Sequence, residues 1–220
     1  MTDDNQQAGG AAPAALIVTL DYAKVALDEL NDWYDTEHIP QRLALPGFVR
    51  AERWMTNDDQ PVSIVLYELE SLGVLTGEHY RGVTGANLSP WSQRILGRCD
   101  RSRFEADLTL HLARPGVESA EGLLLVGMNV EPDAEEEFNR WYEEEHVPSL
   151  FAVPGVLSAR RYRAAAGAQK HLAMYHLAAP DVQASPAWAK AINTPWASRV
   201  RPRTRDRVRF VGRRYHRASQ

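Results

Sequence analysis

The stretch NDWYDTEHIPQRLALPGFVRAERW (Asn31 to Trp54) returns without a gap as NRWYEEEHVPSLFAVPGVLSARRY (Asn139 to Tyr162). Eleven of the 24 aligned positions are identical at an offset of 108, and the mismatches are mild: Asp35 against Glu143, Ile39 against Val147, Trp54 against Tyr162. An internal repeat of this strength decides the architecture before any local propensity does. Outward from it, AALIVTLDY (Ala14 to Tyr22) matches GLLLVGMNV (Gly122 to Val130), and SIVLYEL (Ser63 to Leu69) matches HLAMYHL (His171 to Leu177), at the same offset. SPWSQR (Ser89 to Arg94) matches TPWASR (Thr194 to Arg199) at an offset of 105, so three residues are missing from the second copy between these blocks.

Each copy reads as strand, helix, strand, strand, a helical or irregular segment, strand. Branched and aromatic runs predict strands at Ala15 to Tyr22, Phe48 to Met55, Val62 to Leu69 and Arg103 to Leu112. The second set is Gly122 to Val130, Val156 to Ala164, Lys170 to Ala178 and Arg205 to Tyr215. Helices are expected over Val25 to His38 and Asp133 to His146, stopping ahead of Pro40 and Pro148. This order is the ferredoxin-like β-α-β-β-α-β pattern. Such a sheet carries helices on one face, so its other face needs cover, and a second copy supplies it. The expected fold class is therefore α+β, with two ferredoxin-like repeats forming an intrachain pseudo-dimer. The boundaries are 14–112 and 121–220, joined by a Pro/Gly-bearing linker at 113–120, with 1–13 a disordered tail.

The helix carries the chemistry. At 100° per residue from Leu30, Trp33 falls at about −60°, Tyr34 at about +40°, Glu37 at about −20° and His38 at about +80°. Trp141, Tyr142, Glu145 and His146 fall at the same angles from Phe138. Glu37 and Glu145 are thus expected inside the apolar stripe, where a carboxylate needs a reason. It could be bound by backbone N–H groups or by Arg53 or Arg161, or it could be a general acid or base beside a pocket. His38 and His146, at the stripe's edge, are either C-terminal caps or its acid/base partners. Adjacent Glu and His side chains diverge, and neither helix has an i, i+4 ligand pair, so no metal site is expected.

Tyr67 and Tyr175, and Trp91 and Trp196, occupy equivalent positions, as core packing or as substrate contacts. His176 stands where the first copy has Glu68, so any two pockets would differ chemically. From Arg199 to Arg217 there are nine arginines and one acid, Asp206. A net charge of −4 and the lack of an aromatic-studded motif argue against nucleic acid. A solvated face, partly pairing with acidic helices of the other half, is expected there. Cys99 is the single cysteine, so no internal disulfide is expected. No apolar run is long enough for a membrane helix and the first residues lack a basic signal-peptide region, so a cytoplasmic protein without membrane partners is expected.

At WYDTEHIPQRLALPGF (Trp33 to Phe48) and WYEEEHVPSLFAVPGV (Trp141 to Val156) the chain resembles the EthD-like proteins of the dimeric α/β-barrel superfamily. The resemblance implies a tandem-duplicated barrel and small-molecule chemistry. Relatives with this barrel include lactone isomerases, cofactor-free monooxygenases, decarboxylases, dehydratases and haem-handling proteins. The expected function is a cofactor-independent isomerase- or lyase-like enzyme acting on a small hydrophobic aromatic or carbonyl compound. Glu37, His38, Glu145 and His146 would be its acid/base groups. Trp33, Tyr34, Tyr67, Trp91, Trp141, Tyr142, Tyr175, His176 and Trp196 would be its substrate contacts. The alternatives are a noncatalytic hydrophobic-ligand or haem-binding protein and a cofactor-free monooxygenase; the tandem chain could also form a homodimer.

Overall fold

The computed structural model describes residues 12–56, 59 and 61–217. The branched runs form strands β1 (Ala14–Asp21), β2 (Phe48–Met55), β3 (Val62–Leu69) and β4 (Asp100–Ala113). They are followed by β5 (Gly122–Val130), β6 (Val156–Ala166), β7 (His171–Leu177) and β8 (Thr204–Arg214). All pairings are antiparallel, and the strands close into a barrel in the order β1-β3-β2-β8-β5-β7-β6-β4. Each half of the chain contributes four adjacent strands in the same relative order. Ile17, Trp54, Ile64, Phe104, Leu125 and Met174, drawn from both halves, pack inside the barrel. Side chains on the opposite face pack under the helices, mostly of their own half, with Leu110 and Leu112 of β4 reaching the second-half core, so β3 and β7 are buried along their whole length. A strand covered on both faces loses polar alternation.

The two closures between halves are unequal. β4 pairs with β6 from Glu105 to Ala113, whereas β2 meets β8 at Trp54↔Arg214 and Met55↔Arg213. The weaker closure is extended by the Tyr215 N–H donating to the Arg53 carbonyl (3.0 Å). Arg53 is held between the rings of Tyr34 (4.3 Å) and Tyr215 (4.2 Å).

The helices differ from expectation at their prolines. The first runs as α1 (Leu27–Trp33), a π-helical turn at Tyr34–His38, then α2 (Ile39–Leu43), passing straight through Pro40. The second runs as α5 (Glu135–Trp141), a π turn at Tyr142–His146, then α6 (Val147–Phe151), through Pro148. A proline inside an α-helix lacks its N–H donor and clashes with the carbonyl four residues back. Widening the preceding turn to the i→i+5 pattern, seen in Ile39 N–H to Tyr34 O and Val147 N–H to Tyr142 O, accommodates it. The Pro-Gly turns that follow need glycine. Gly47 (φ 85) and Gly155 (φ 87) are left-handed, and a Cβ would collide with Val74 and Val182 respectively.

The remaining elements used below are α3 (Glu78–Arg81), α4 (Pro90–Leu96), α7 (Pro186–Ile192) and α8 (Pro195–Val200). Around the expected linker, Ala113 still belongs to β4, and a short turn at Val117–Ser119 leads to β5. Most of the expected tail, residues 1–11, lies outside the described residues; Pro13 is held, its carbonyl accepting the Leu108 N–H (2.8 Å). The C-terminal arginines are solvent-facing as expected, but their main acidic partners lie in their own half. Arg203 pairs with Glu131 and Asp133, and Arg199 approaches Glu137. They stand there because the acidic start of the second helix lies beside the start of β8, where the Glu131 N–H donates to the Arg203 carbonyl. Toward the other half, Arg217 approaches Asp35 (3.8 Å) and Arg214 lies over the Trp54 ring (4.4 Å).

Candidate active site

The wide turn moves the chemistry. A π turn has more residues per turn than an α turn, so each residue advances by less than 100°. The residues after Tyr34 therefore lag behind the α-helical count. His38 swings toward the middle of the inner face, and Glu37 swings to its side. In the structure His38 lines a cavity of about 320 Å³ between the sheet and the helices of the first half. Glu37 lies beside it, turned to the start of α4. Its Oε1 accepts from Ser89 Oγ (2.6 Å) and Ser92 Oγ (2.9 Å), and Ser92 Oγ in turn accepts from Trp33 Nε1 (3.0 Å). Ser89 also caps α4 by accepting the Ser92 N–H (3.0 Å).

The second half repeats this with different donors. Glu145 Oε1 accepts from Thr194 Oγ1 (2.5 Å), the cap of α8, and from Trp141 Nε1 (3.1 Å). His146 lines a separate cavity of about 240 Å³. Neither glutamate pairs with the arginine on the next strand. Arg53 donates to Asn31 Oδ1 (2.8 Å) and Ser63 Oγ (3.1 Å), while Arg161 is held by Asn139 and Glu143.

In the first cavity the floor is apolar, built from Leu16, Val18 and Leu96, with Trp33 and Tyr34 as walls. His38 lies against the Trp33 indole (ring centroids 4.2 Å, planes 30° apart), and its Nδ1 is buried without a hydrogen-bond partner. Burial, reinforced by the Arg42 and Arg101 guanidiniums, lowers its pKa to about 3, so the ring is neutral at physiological pH. Tyr67 reaches the same cavity from β3, and its hydroxyl too is buried and unpartnered. Burial first, and the neighbouring Tyr34, hold its pKa well above 10. An unsatisfied buried polar atom is costly, so two in one cavity call for a partner that a ligand can be. Arg42, Arg101 and Arg103 complete the lining. Arg42 donates to Gln41 Oε1 (2.7 Å) and the Val83 carbonyl (3.1 Å); Arg103 donates to Tyr80 Oη (2.6 Å) and Glu105.

Trp33, Tyr34, Tyr67 and His38 are thus brought together, as are Trp141 and His146 in the second cavity. Other expected contacts lie elsewhere. Tyr142 is buried with its hydroxyl 4.0 Å from Met128 Sδ, and Tyr175 packs edge-on against Trp188 (5.5 Å). Trp91 packs at the edge of the first-half core, and Trp196 Nε1 donates to Glu137 on the surface (3.2 Å). His176 lies in the barrel interior, bridging Ser158 Oγ (2.8 Å) and Glu52 Oε2 (2.7 Å). The arginines and Tyr80 were missed as site residues. The signal available for them was alternation, Arg101 and Arg103 on β4 matching Arg207 and Arg209 on β8.

The histidines fit haem poorly. A metal-bound imidazole passes its other N–H to a carboxylate or carbonyl. His38 Nδ1 has no partner, no carboxylate reaches His146 among the described residues, and each ring lies along an indole face. Among the described residues no group of three His, Cys, Asp or Glu side chains could hold a metal ion, and no helix is long and apolar enough to cross a membrane.

No family model and no curated protein matches the sequence. Solved structures do match in shape. An anthrone oxidase-like protein superposes with a TM-score of 0.65 at 10% identity, over 93% of this chain and 92% of that one. A candidate monooxygenase from Lactobacillus acidophilus NCFM gives 0.60 at 12% identity, over 92% and 94%. A point mutant of chlorite dismutase from Candidatus Nitrospira defluvii gives 0.57 at 7% identity, over 94% and 92%. At such identities the likeness is one of fold: an α+β chain built on an eight-stranded antiparallel barrel, similar in shape to these proteins.

Proposed function

We propose that the first-half cavity is the active site of a cofactor-independent enzyme that moves a proton on a small aromatic or carbonyl compound. The observation that carries this reading is that His38 and Tyr67, whose Nδ1 and hydroxyl are buried without hydrogen-bond partners, both line one cavity with an apolar floor. Burial among arginines makes neutral His38 a weak base, so the proton it accepts is from a C–H acidified by an adjacent carbonyl or phenol whose oxygen Tyr67 and Arg42 hold. The Tyr67 hydroxyl, its proton held firmly, donates a hydrogen bond to the enolate or phenolate oxygen that develops, and Arg42 adds charge stabilisation. Imidazolium formed among arginines is a strong acid, so the proton returns readily. Return to another carbon is isomerisation; departure of a β-hydroxyl that takes up the imidazolium's proton and leaves as water is dehydration. Glu37 acts as a positioning residue, pinning the π turn to the cap of α4 through Ser89.

A second reading has the same carbanion reduce dioxygen, as a cofactor-free oxygenase does, and the names of the similar folds favour it. Both readings share His38. The His38→Gln variant is expected to lose roughly 10²- to 10⁴-fold in turnover with little change in affinity. Turnover at the parent rate would overturn the reading. Oxygen-electrode traces on the substrates that turn over separate the two outcomes. We further read 14–112 and 121–220 as ferredoxin-like repeats in EthD-like tandem. The shared strand order and the two matched π turns support that reading.

A further inference from the structure

We propose that the second-half cavity is a separate binding site for an aromatic carboxylate, recognised by Arg201, Arg207 and Arg209 at its mouth and held without proton transfer. The comparison between halves carries the argument. In the β1–β4 register Val18 faces Arg103; in the β5–β8 register its counterpart Val126 faces Arg209. Arg101 and Arg207, two residues earlier on their strands, line the same cavities. The third cation is the informative one. Arg42 of the first cavity corresponds to Leu150, while Arg201 of the second corresponds to Leu96. Each cavity keeps three guanidiniums, although the third comes from a non-equivalent element. Keeping three guanidiniums while moving the source of one is what a requirement for anions produces, and with Arg103 of the first cavity paired to Glu105 the second is the more cationic.

These arginines are also uncompensated. Arg201 is held by Asn193 Oδ1 (3.3 Å) and the Ile192 carbonyl, and Arg209 by Gln183 Oε1, all neutral acceptors. The arginines nearby that do find acids, Arg199 and Arg203, lie outside the cavity. Behind the cationic mouth lie Leu124, Val126 and Met128, with Trp141 and Trp188 as walls. The two indoles offer an aromatic ring apolar surface to pack on, and a guanidinium takes a carboxylate bidentately. No phenol joins His146 there, because Trp188 stands against the Tyr175 ring.

Nitrogen-edited NMR of the indole N–H groups tests this on the full chain. Trp141→Phe and Trp188→Phe assign the second cavity's reporters, and Trp33 reports on the first. The probes are 2-naphthoate and its neutral isostere 2-naphthylmethanol. Expected are saturable shifts at Trp188 with 2-naphthoate and affinity at least roughly tenfold weaker for the alcohol. Arg207→Gln, at an exposed strand position, should lower naphthoate affinity toward that of the alcohol, with Arg201 and Arg209 still in place, and leave alcohol binding unchanged, which also shows the cavity intact. Equal affinity for acid and alcohol, naphthoate binding indifferent to Arg207→Gln, or no shift at Trp188 would each overturn the proposal. None of these bears on His38-dependent turnover.

Discussion

His38 and His146 show how one side chain ties the site to stability. Burial comes first in lowering both to about 3, with Arg42 and Arg101 acting on His38 and Arg201, Arg207 and Arg161 on His146. Between their ordinary value of 6.5 and about 3, the unfolded chain binds protons that the folded chain does not. Stability must therefore fall as pH drops through that window and be insensitive to these groups above it. Urea midpoints at pH 7 and pH 5 should differ less in the His38→Gln/His146→Gln double variant than in the parent. An unchanged difference would show that other groups set the acid response. That these histidines occupy matching positions was legible from their repetition. Their direction was not, because a 100° count assumes an α-helix throughout.

At the scale of the element, the repeated Pro40 and Pro148 are the source of that error. Taken as stop signals, they mark where the helix widens instead of ending. The carboxylate of Glu37 then meets the cap of α4, and the imidazole meets the cavity. Pro40→Ala removes the need for the wide turn. The variant is expected to fold with stability at least equal to the parent, since alanine is the better helix former by about 3 kcal/mol in an interior position. In regaining α register it would turn His38 off the cavity. Turnover should then fall at least roughly tenfold while the urea midpoint holds or rises, because a misplaced catalytic group costs rate without costing fold. A variant that kept full activity would separate the proline from the π turn.

At the scale of the whole molecule, the halves are joined by charge as well as by strands. Glu68 Oε1 lies 2.7 Å from both Arg160 Nη1 and Arg50 Nη2, with Glu68 and Arg160 buried at 4% and 2% exposure. By the repeat, Arg50 corresponds to Ser158, Glu52 to Arg160 and Glu68 to His176. Matching positions thus carry complementary groups that meet inside the barrel, which two identical halves could not do. Glu68→Gln leaves a buried guanidinium without its counterion and should cost about 3 kcal/mol in urea denaturation. A cost below about 1 kcal/mol would mean that Arg50 and Glu52 re-pair around the gap.

The sequence by itself determined the element order, the strand positions within a few residues, and the residue types repeated at each site, because local propensity and an internal repeat are both properties of the chain read in order. Only the tertiary structure decided which way those residues point and what they meet. The hydrogen bond from Ser89 to Glu37, the seating of His176 against Glu52 in the barrel and the convergence of Arg42, Arg101 and Arg103 all join segments distant in sequence. A one-dimensional pattern fixes what a segment presents; closing the barrel fixes where it is presented, and that is set by packing across strands and helices that periodicity cannot see.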